Sequence, residues 1–303
     1  MELDIIIPTY NEEGNIKNFY NETQKILKDI KHNYIFIDDG STDKTFEELE
    51  EIYKTNDNNI KVISFSRNFG KEAAMYAGLQ YSKAKIACII DVDNKQNLNY
   101  LLKMYNFLKE NSEYDSVCMC QKQKKKRFFQ HLFYKLIKKM SNLEIMEGAS
   151  DFRMFRRNVV LAINKISEKN RFTKGIFSYI GFNTYYDYYD VENSKSIKSK
   201  KIPFNYLFDA LINSKPLRAA IWIGLFISII SFLYLIAIII KIIIKGVATI
   251  GYSPITCIIL FLGGIHLIFI GILGEYLGKT YNEAKNRPIF ISKRKLGFDE
   301  DIL

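Results

Sequence analysis

Two aspartates one residue apart, Asp91 and Asp93, follow directly on the apolar run Ile86–Ile90. Where a chain leaves a strand, that spacing lets both carboxylates face one divalent cation, and hard oxygen ligands suit Mg²⁺ or Mn²⁺. Such an ion bridges paired phosphates and neutralises a departing nucleoside diphosphate. A second acidic pair, Asp38-Asp39, closes another apolar run ahead of Gly40 and the polar stretch Ser41-Thr42-Asp43. A carboxylate so placed can accept hydrogen bonds from a base or a ribose. Two more runs end in Pro8-Thr9-Tyr10-Asn11-Glu12 and in Ser66-Arg67-Asn68. An isolated Asp-x-Asp is commonplace on solvated loops. Polar residues at the end of every run point instead to one shared site.

The elements that position these residues are short runs rich in Ile and Val: Leu3–Ile7, Tyr34–Ile37, Val62–Phe65 and Ile86–Ile90. Helical patterns separate them, so the chain reads as βαβ units forming a parallel sheet buried on both faces. Ligands of such sheets bind at the carboxyl ends of the strands. The formal charge of +10 over 303 residues implies an anionic partner. The four cysteines lack paired metal-ligand spacing and the three histidines are scattered, which argues against a structural zinc site. Cys118 and Cys120 are expected to alternate on a strand as reduced thiols. The opening Met1-Glu2-Leu3-Asp4 leads straight into a strand, and no secretory signal is expected there.

Two later stretches change register. Ala219–Ile240 carries no charge and Ile255–Leu273 is interrupted only by small residues and His266. Each is long enough to cross the ~30 Å hydrocarbon core as a helix. Lys195, Lys198, Lys200, Lys201, Lys215 and Arg218 precede the first span, and Lys279, Lys285, Arg287, Lys293, Arg294 and Lys295 follow the second. Only Lys241 and Lys245 lie between, which places both termini in the cytoplasm. Residues 128–140 set Phe128, Phe129, Leu132, Phe133, Leu136, Ile137 and Met140 against Lys135, Lys138 and Lys139, the pattern of a helix lying on an anionic leaflet. A second amphipathic helix is expected over 203–214. Lipid, rather than nucleic acid, is therefore the anionic partner. His266 alone offers no transport pathway, and the Gly263-Gly264 pair suits close helix packing, within a chain or in a homo-oligomer. The expected layout is a cytoplasmic domain over 1–202, a juxtamembrane helix over 203–214, an anchor over 217–275 and a cytoplasmic tail over 276–303.

The run Ile6-Ile7-Pro8-Thr9-Tyr10-Asn11-Glu12-Glu13, the run Asp38-Asp39-Gly40-Ser41-Thr42-Asp43-Lys44-Thr45 and the run Ser66-Arg67-Asn68-Phe69-Gly70-Lys71-Glu72-Ala73-Ala74 carry a family resemblance. So do Asp151-Phe152-Arg153, Arg171-Phe172-Thr173-Lys174-Gly175 and Gly274-Glu275-Tyr276-Leu277-Gly278-Lys279. In this order and over nearly the whole length, the chain resembles family 2 glycosyltransferases of the GT-A fold. Within them it is similar to the polyprenyl-phosphate glycosyltransferases. That resemblance implies an α/β nucleotide-diphospho-sugar transferase domain with two C-terminal transmembrane helices. It implies inverting transfer from a nucleotide sugar, UDP-linked for preference, to polyprenyl (undecaprenyl) phosphate at the cytoplasmic membrane face. Pro8, Tyr10, Glu12, Asp39 and Arg67 would hold the nucleotide and Lys71 would approach its diphosphate. Asp91 and Asp93 would hold the metal, and Asp151 would stand near the reacting centre. Arg153, Arg171 and Lys174 would bind the acceptor phosphate, for which the planar guanidinium fork is suited. A phosphate monoester is largely ionised near neutrality, so Asp151 is expected to orient rather than to abstract a proton.

The chain departs from the family pattern after Asp93, where Lys95 replaces a metal-binding Gln and Gln96 an Asp. In the acceptor-side loop Ser199 and Lys200 match, but Ile197 stands at a glycine position and Asn193 near an arginine. These changes raise a second reading, a catalytically weak copy that binds nucleotide sugar or lipid and assists a partner. The missing Gln-x-x-Arg-Trp motif argues against a processive synthase, since the only tryptophan is Trp222, inside the first span.

Overall fold

The structure, a computed structural model, describes residues 1–55, 59–92, 98–121, 146, 149–169, 171, 173–189, 216–245 and 253–298. The helices expected over 128–140 and 203–214 lie outside these residues. The chain forms two compact units, one of Met1–Lys195 with Pro288–Leu303 and one of Ser196–Arg287.

The first unit opens with the expected alternation. Strands β1 (Leu3–Thr9), β2 (His32–Asp38), β3 (Ile60–Phe65) and β4 (Ile86–Ile89) are joined through helices α1 (Ile16–Ile26), α2 (Thr45–Tyr53) and α3 (Lys71–Tyr81). Then follow α4 (Asn99–Glu110), β5 (Ser116–Gln121), β6 (Ala149–Arg156), α5 (Arg157–Asn164), α6 (Thr173–Tyr179) and β7 (Thr184–Tyr189). Strand β1 is central, parallel to β2 on one side and β4 on the other. Strand β6 runs antiparallel to both β4 and β5, so the sheet is mixed although mostly parallel.

Successive side chains of a strand face opposite sides, and β1 splits accordingly. Leu3, Ile5 and Ile7 join one core with α1, α2 and α4, while Ile6 joins another with Ile35, Ile37 and the alanines of α3. Burial on both faces is why these strands read as unbroken apolar runs. Asp4 is the polar exception, almost fully buried inside β1. Its carboxylate accepts from Asn33 Nδ2, Ser82 Oγ and the N–H groups of Lys83 and Ala84, all within 2.9 Å. The exit of α3 is thereby tied to the start of the sheet. Helix α3 lies so close to β1 that a Cβ on Gly78 would stand 2.1 Å from Ile6 Cγ2.

The sheet has an eighth strand that the sequence reading left within the tail. Strand β8 (Ser292–Leu296) pairs antiparallel with β3 and completes the order β7-β5-β6-β4-β1-β2-β3-β8. Phe290 stacks on Phe65 at 4.9 Å, and the Ser66 N–H donates to the Ile291 carbonyl at 2.9 Å. Three cations in five residues leave β8 no apolar signature, and they suit an edge strand by discouraging further pairing.

The second unit consists, among the described residues, of α7 (Pro216–Lys245) and α8 (Ser253–Ala284). Both are long and apolar enough to cross a membrane, over Ile223–Ile240 and Ile258–Gly278. They pack on each other where a Cβ on Gly224 would meet the Gly264 carbonyl at 2.6 Å. Gly264 is thus the packing member of the glycine pair, whereas a Cβ on Gly263 would meet nothing.

Candidate active site

The carboxyl ends of β1, β2 and β4 and the start of α3 enclose a cavity of about 280 Å³. Its walls include Pro8, Tyr10 and Glu12 after β1, Asp39 after β2, Lys71 on α3 and Asp91 after β4. Six predicted residues, from three strand ends and the start of α3, therefore share one space. Thr9, Asn68, Gly70, Ala74 and Val92 complete it. The positive end of α3 meets the cavity at Gly70 and Lys71, an arrangement that favours an anion.

Lys71 is the hub of the charged residues. Its Nζ donates to Asp91 Oδ2 at 2.7 Å and to Asp151 Oδ2 at 2.9 Å. Burial disfavours the Lys71 ammonium, but the two carboxylates outweigh it and hold the group above its ordinary value. Asp151 of β6, eighty residues from Lys71 in sequence, is joined to the cavity through this contact. Glu72 follows in α3 and accepts from the Thr173 N–H at 3.0 Å, fixing the start of α6 to α3. Burial raises the Glu72 carboxyl and the charge of Asp151 adds to that, against the Thr173 hydrogen bond. Sequence reasoning gave Glu72 no role, although it sits inside the Ser66–Ala74 run.

The acidic run after β2 divides its labour. Asp39 lines the cavity, yet its carboxylate accepts from the N–H groups of Phe69 at 2.6 Å and Gly70 at 2.9 Å. Burial pushes its carboxyl above the ordinary value despite those two bonds. Asp38 is buried behind it, accepting from the Ser41 N–H and from Ser64 Oγ. Gly40, at φ +67, passes so close to the next loop that a Cβ would stand 2.5 Å from the Arg67 carbonyl carbon. These contacts hold the Ser66–Lys71 loop against the end of β2.

Other predicted residues stand elsewhere. Arg67 is exposed, outside the cavity lining, with its guanidinium 4.1 Å from the Phe69 ring and donating to the Asn68 carbonyl. Arg153 is buried on β6, its Nε on the Ser150 carbonyl and its guanidinium over Phe177. Arg171 lies over Tyr76 of α3 and donates to the Ile166 carbonyl at 2.7 Å. Its Nε is buried without a hydrogen-bond partner, and burial pushes the guanidinium below its ordinary value. Asp93, Ser199 and Lys200 lie outside the described residues, as do Lys95 and the Lys174 side chain.

Among the described residues no three His, Cys, Asp or Glu side chains converge as a metal site. The donor chemistry nevertheless suits a cation: Asp91 is a hard oxygen ligand on the cavity wall, and with Asp151 it already gathers around one positive charge.

The glycosyl transferase family 2 model matches residues 4–163, the stretch that builds β1 to β6 and this cavity. The CsbB protein of Bacillus subtilis, whose name is that of a glycosyltransferase, is 39% identical over 96% of this chain and 91% of its own length. The SfII prophage-derived bactoprenol glucosyl transferase of Shigella flexneri is 36% identical over 97% of this chain and 98% of its own. A prophage bactoprenol glucosyl transferase homolog of Escherichia coli K12 is 35% identical over 97% and 99%. The chain belongs to glycosyl transferase family 2, has the family's GT-A fold, and is a glycosyltransferase.

Proposed function

We propose that this enzyme transfers a sugar, with inversion, from a nucleotide sugar to a polyprenyl phosphate at the cytoplasmic face of the cell membrane. The observation that carries the reading is the cavity at the strand ends, where Asp39, Lys71 and Asp91 converge and Lys71 ties in Asp151. Full-length likeness to proteins named bactoprenol glucosyl transferase supports the acceptor class. UDP is the favoured nucleotide.

In this reading the cavity takes the donor. Pro8, Tyr10 and Glu12 form one wall for the nucleotide, Asp39 holds the loop that carries Arg67, and Lys71 with the start of α3 faces the diphosphate. An oxygen of the acceptor phosphate attacks the anomeric carbon as the bond to the diphosphate breaks, and the electron pair leaves with the nucleoside diphosphate. That oxygen is already ionised, so no proton need be removed, and Asp151 orients the Lys71 ammonium. Arg153, Arg171, Lys174, Ser199 and Lys200 are assigned to the acceptor side, and Arg153, being buried, acts by supporting β6. Asp91 and Asp93 would hold Mg²⁺ or Mn²⁺, which would neutralise the leaving diphosphate.

The layout supports a membrane enzyme with its catalytic unit on one side. Strand β8 returns to the sheet after α7 and α8, so the chain must cross an even number of times, which two spanning helices do. The lysine and arginine bias supports the cytoplasm as that side. Packing at Gly224 and Gly264 occurs within one chain, and association between chains through the outward Gly263 face is proposed with it.

Radiolabelled sugar transfer to undecaprenyl phosphate tests this, with purified full-length protein and a panel of UDP- and GDP-sugars in Mg²⁺, Mn²⁺ or EDTA. Label in the lipid phase with one donor, lost in Asp91→Ala, is the expected result. Nucleotide binding without transfer from any donor, while a relative works in the same assay, would favour the weak, partner-assisting copy instead.

A further inference from the structure

The loop between β1 and α1, Asn11–Gly14, starts and ends at positive φ, +55 at Asn11 and +83 at Gly14. A backbone turned in this way carries N–H groups that no strand or helix satisfies, and each needs a partner. Four successive groups find one on the neighbouring segment. Asn11 N–H donates to Ser41 Oγ at 3.0 Å and Glu12 N–H to Thr45 Oγ1 at 2.8 Å. Glu13 N–H donates to Asp43 Oδ2 at 3.2 Å and Gly14 N–H to Glu48 Oε1 at 2.7 Å. Contacts also run the other way, from the Thr42 N–H to Asn11 Oδ1 at 2.9 Å and from the Lys44 N–H to Glu13 Oε2 at 3.4 Å.

Thr45 is the centre of this ladder. It is fully buried at the first position of α2, and its Oγ1 accepts from Glu12 while donating to Asp43 Oδ1 at 2.6 Å. One hydroxyl thus relays a carboxylate to a backbone amide of the other loop. Ser41, Asp43, Thr45 and Glu48 are absent from the cavity lining, whereas Tyr10 and Glu12 belong to it. A further bond, from Lys17 Nζ of α1 to Glu51 of α2 at 2.6 Å, joins the two helices beyond the loops.

We infer that Asp43 and Thr45 are positioning residues for the donor, setting the Tyr10–Glu12 wall through the backbone amides of Asn11–Gly14. The inference rests on the reading of the cavity as the donor site. In this view Ser41–Thr45 touches no nucleotide; it holds the segment that does. Removing the Thr45 hydroxyl takes the acceptor from the part-buried Glu12 N–H, leaves Asp43 Oδ1 with the Thr45 N–H but without the hydroxyl, and lets the wall relax. Chemistry at the anomeric carbon, which lies with Lys71 and Asp91, is untouched. The effect therefore falls on donor affinity rather than on turnover.

The test compares Thr45→Val, nearly the same shape without the hydroxyl, with Thr45→Ser, which keeps it. UDP and GDP binding to the detergent-solubilised full chain is measured by calorimetry, with KM and kcat for the donor and Tm alongside. Thr45→Val is expected to raise the Kd of the bound nucleotide and the donor KM by about tenfold, leaving kcat within about twofold. Thr45→Ser is expected to restore both. Equal nucleotide affinity in Thr45→Val and wild type, or a lower Tm with unchanged Kd, would overturn the positioning role alone. A wild-type protein that binds neither nucleotide would overturn the donor reading and this inference with it. Should Thr45→Val not fold, Asp43→Asn serves the same purpose, since it loses the acceptor for Glu13; an unchanged Kd there overturns the inference too.

Discussion

Lys71 Nζ stands 2.7 Å from Asp91 Oδ2, so the lysine assigned to the diphosphate already neutralises the carboxylate assigned to the metal. The same ammonium reaches Asp151, making an internal cation the link between the donor side and β6. Lys71→Met is expected to lower kcat by about a hundredfold, the loss of one charged hydrogen bond of ~1.5–3 kcal/mol. With their counter-ion gone, Asp91 and Asp151 should also bind Mn²⁺ more tightly, read by quenching of the free-ion electron paramagnetic resonance signal. Full activity together with unchanged Mn²⁺ binding would show the ion pair to be idle.

Gly40 is required by both conformation and space. At φ +67 a side chain is strained, and its Cβ would stand 2.5 Å from Arg67 C and 2.8 Å from Asn68 N. Both neighbours are backbone and cannot swing away. Gly40→Ala is expected to cost about 3 kcal/mol in denaturant unfolding and to abolish nucleotide binding. A variant of wild-type stability that binds nucleotide would mean the Ser66–Lys71 loop moves freely.

The segment leading into β8 contributes through Phe290 and the Ile291 backbone carbonyl. Phe290→Ala removes the stack on Phe65 and is expected to lower stability by about 2–3 kcal/mol, less than for a fully buried ring. Ile291→Ala should be nearly silent, because its side chain is 52% exposed and only its carbonyl bonds to Ser66. Thermal unfolding of the two variants, with and without nucleotide, separates these contributions. Equal losses in both would contradict the assignment.

The ladder at Asn11–Gly14 should be sensitive to acid. Burial raises the Asp43 carboxyl, but hydrogen bonds from Thr45 and Glu13 outweigh it and leave the group below its ordinary value. A carboxyl depressed in the fold adds stability that is fully present above its unfolded value of about 3.9 and is lost as pH falls through the folded one. Asp39, raised by burial, acts with the opposite sign, opposing the fold as pH rises through the range above its ordinary value. The stability gap between wild type and Asp43→Asn should therefore be full above about pH 5 and narrow progressively as pH falls from about 3.9 through the lower folded value. A gap independent of pH would show that the carboxylate charge does not matter.

The first four strands were legible because a sheet covered on both faces demands unbroken Ile and Val, and their polar ends marked the cavity. Neither signal exists for β8, whose Lys293, Arg294 and Lys295 read as membrane-flanking charge. In the structure Arg294 lies over Phe46 and Lys295 over Tyr81, so part of that charge is spent on the sheet. Composition placed Asp38–Thr45 at the site as a block. Only side-chain geometry separates Asp39, which lines the cavity, from Asp43 and Thr45, which hold its neighbour. The same limit applies to Arg153. The family resemblance assigns it to the acceptor phosphate, and only the structure shows that it is buried on β6, between β4 and β5.

The late return of β8 also sets a schedule for biosynthesis. Residues 292–296 leave the ribosome only after both apolar helices have been made, so until then β3 has an open edge and Ser66 lacks its carbonyl partner. A nascent chain cannot give Ser66, in the loop beside the cavity, its Ile291 partner before α7 and α8 have been synthesised. Under the proposed function, donor binding would thereby be deferred to the final stage of translation, after α7 and α8 have been made.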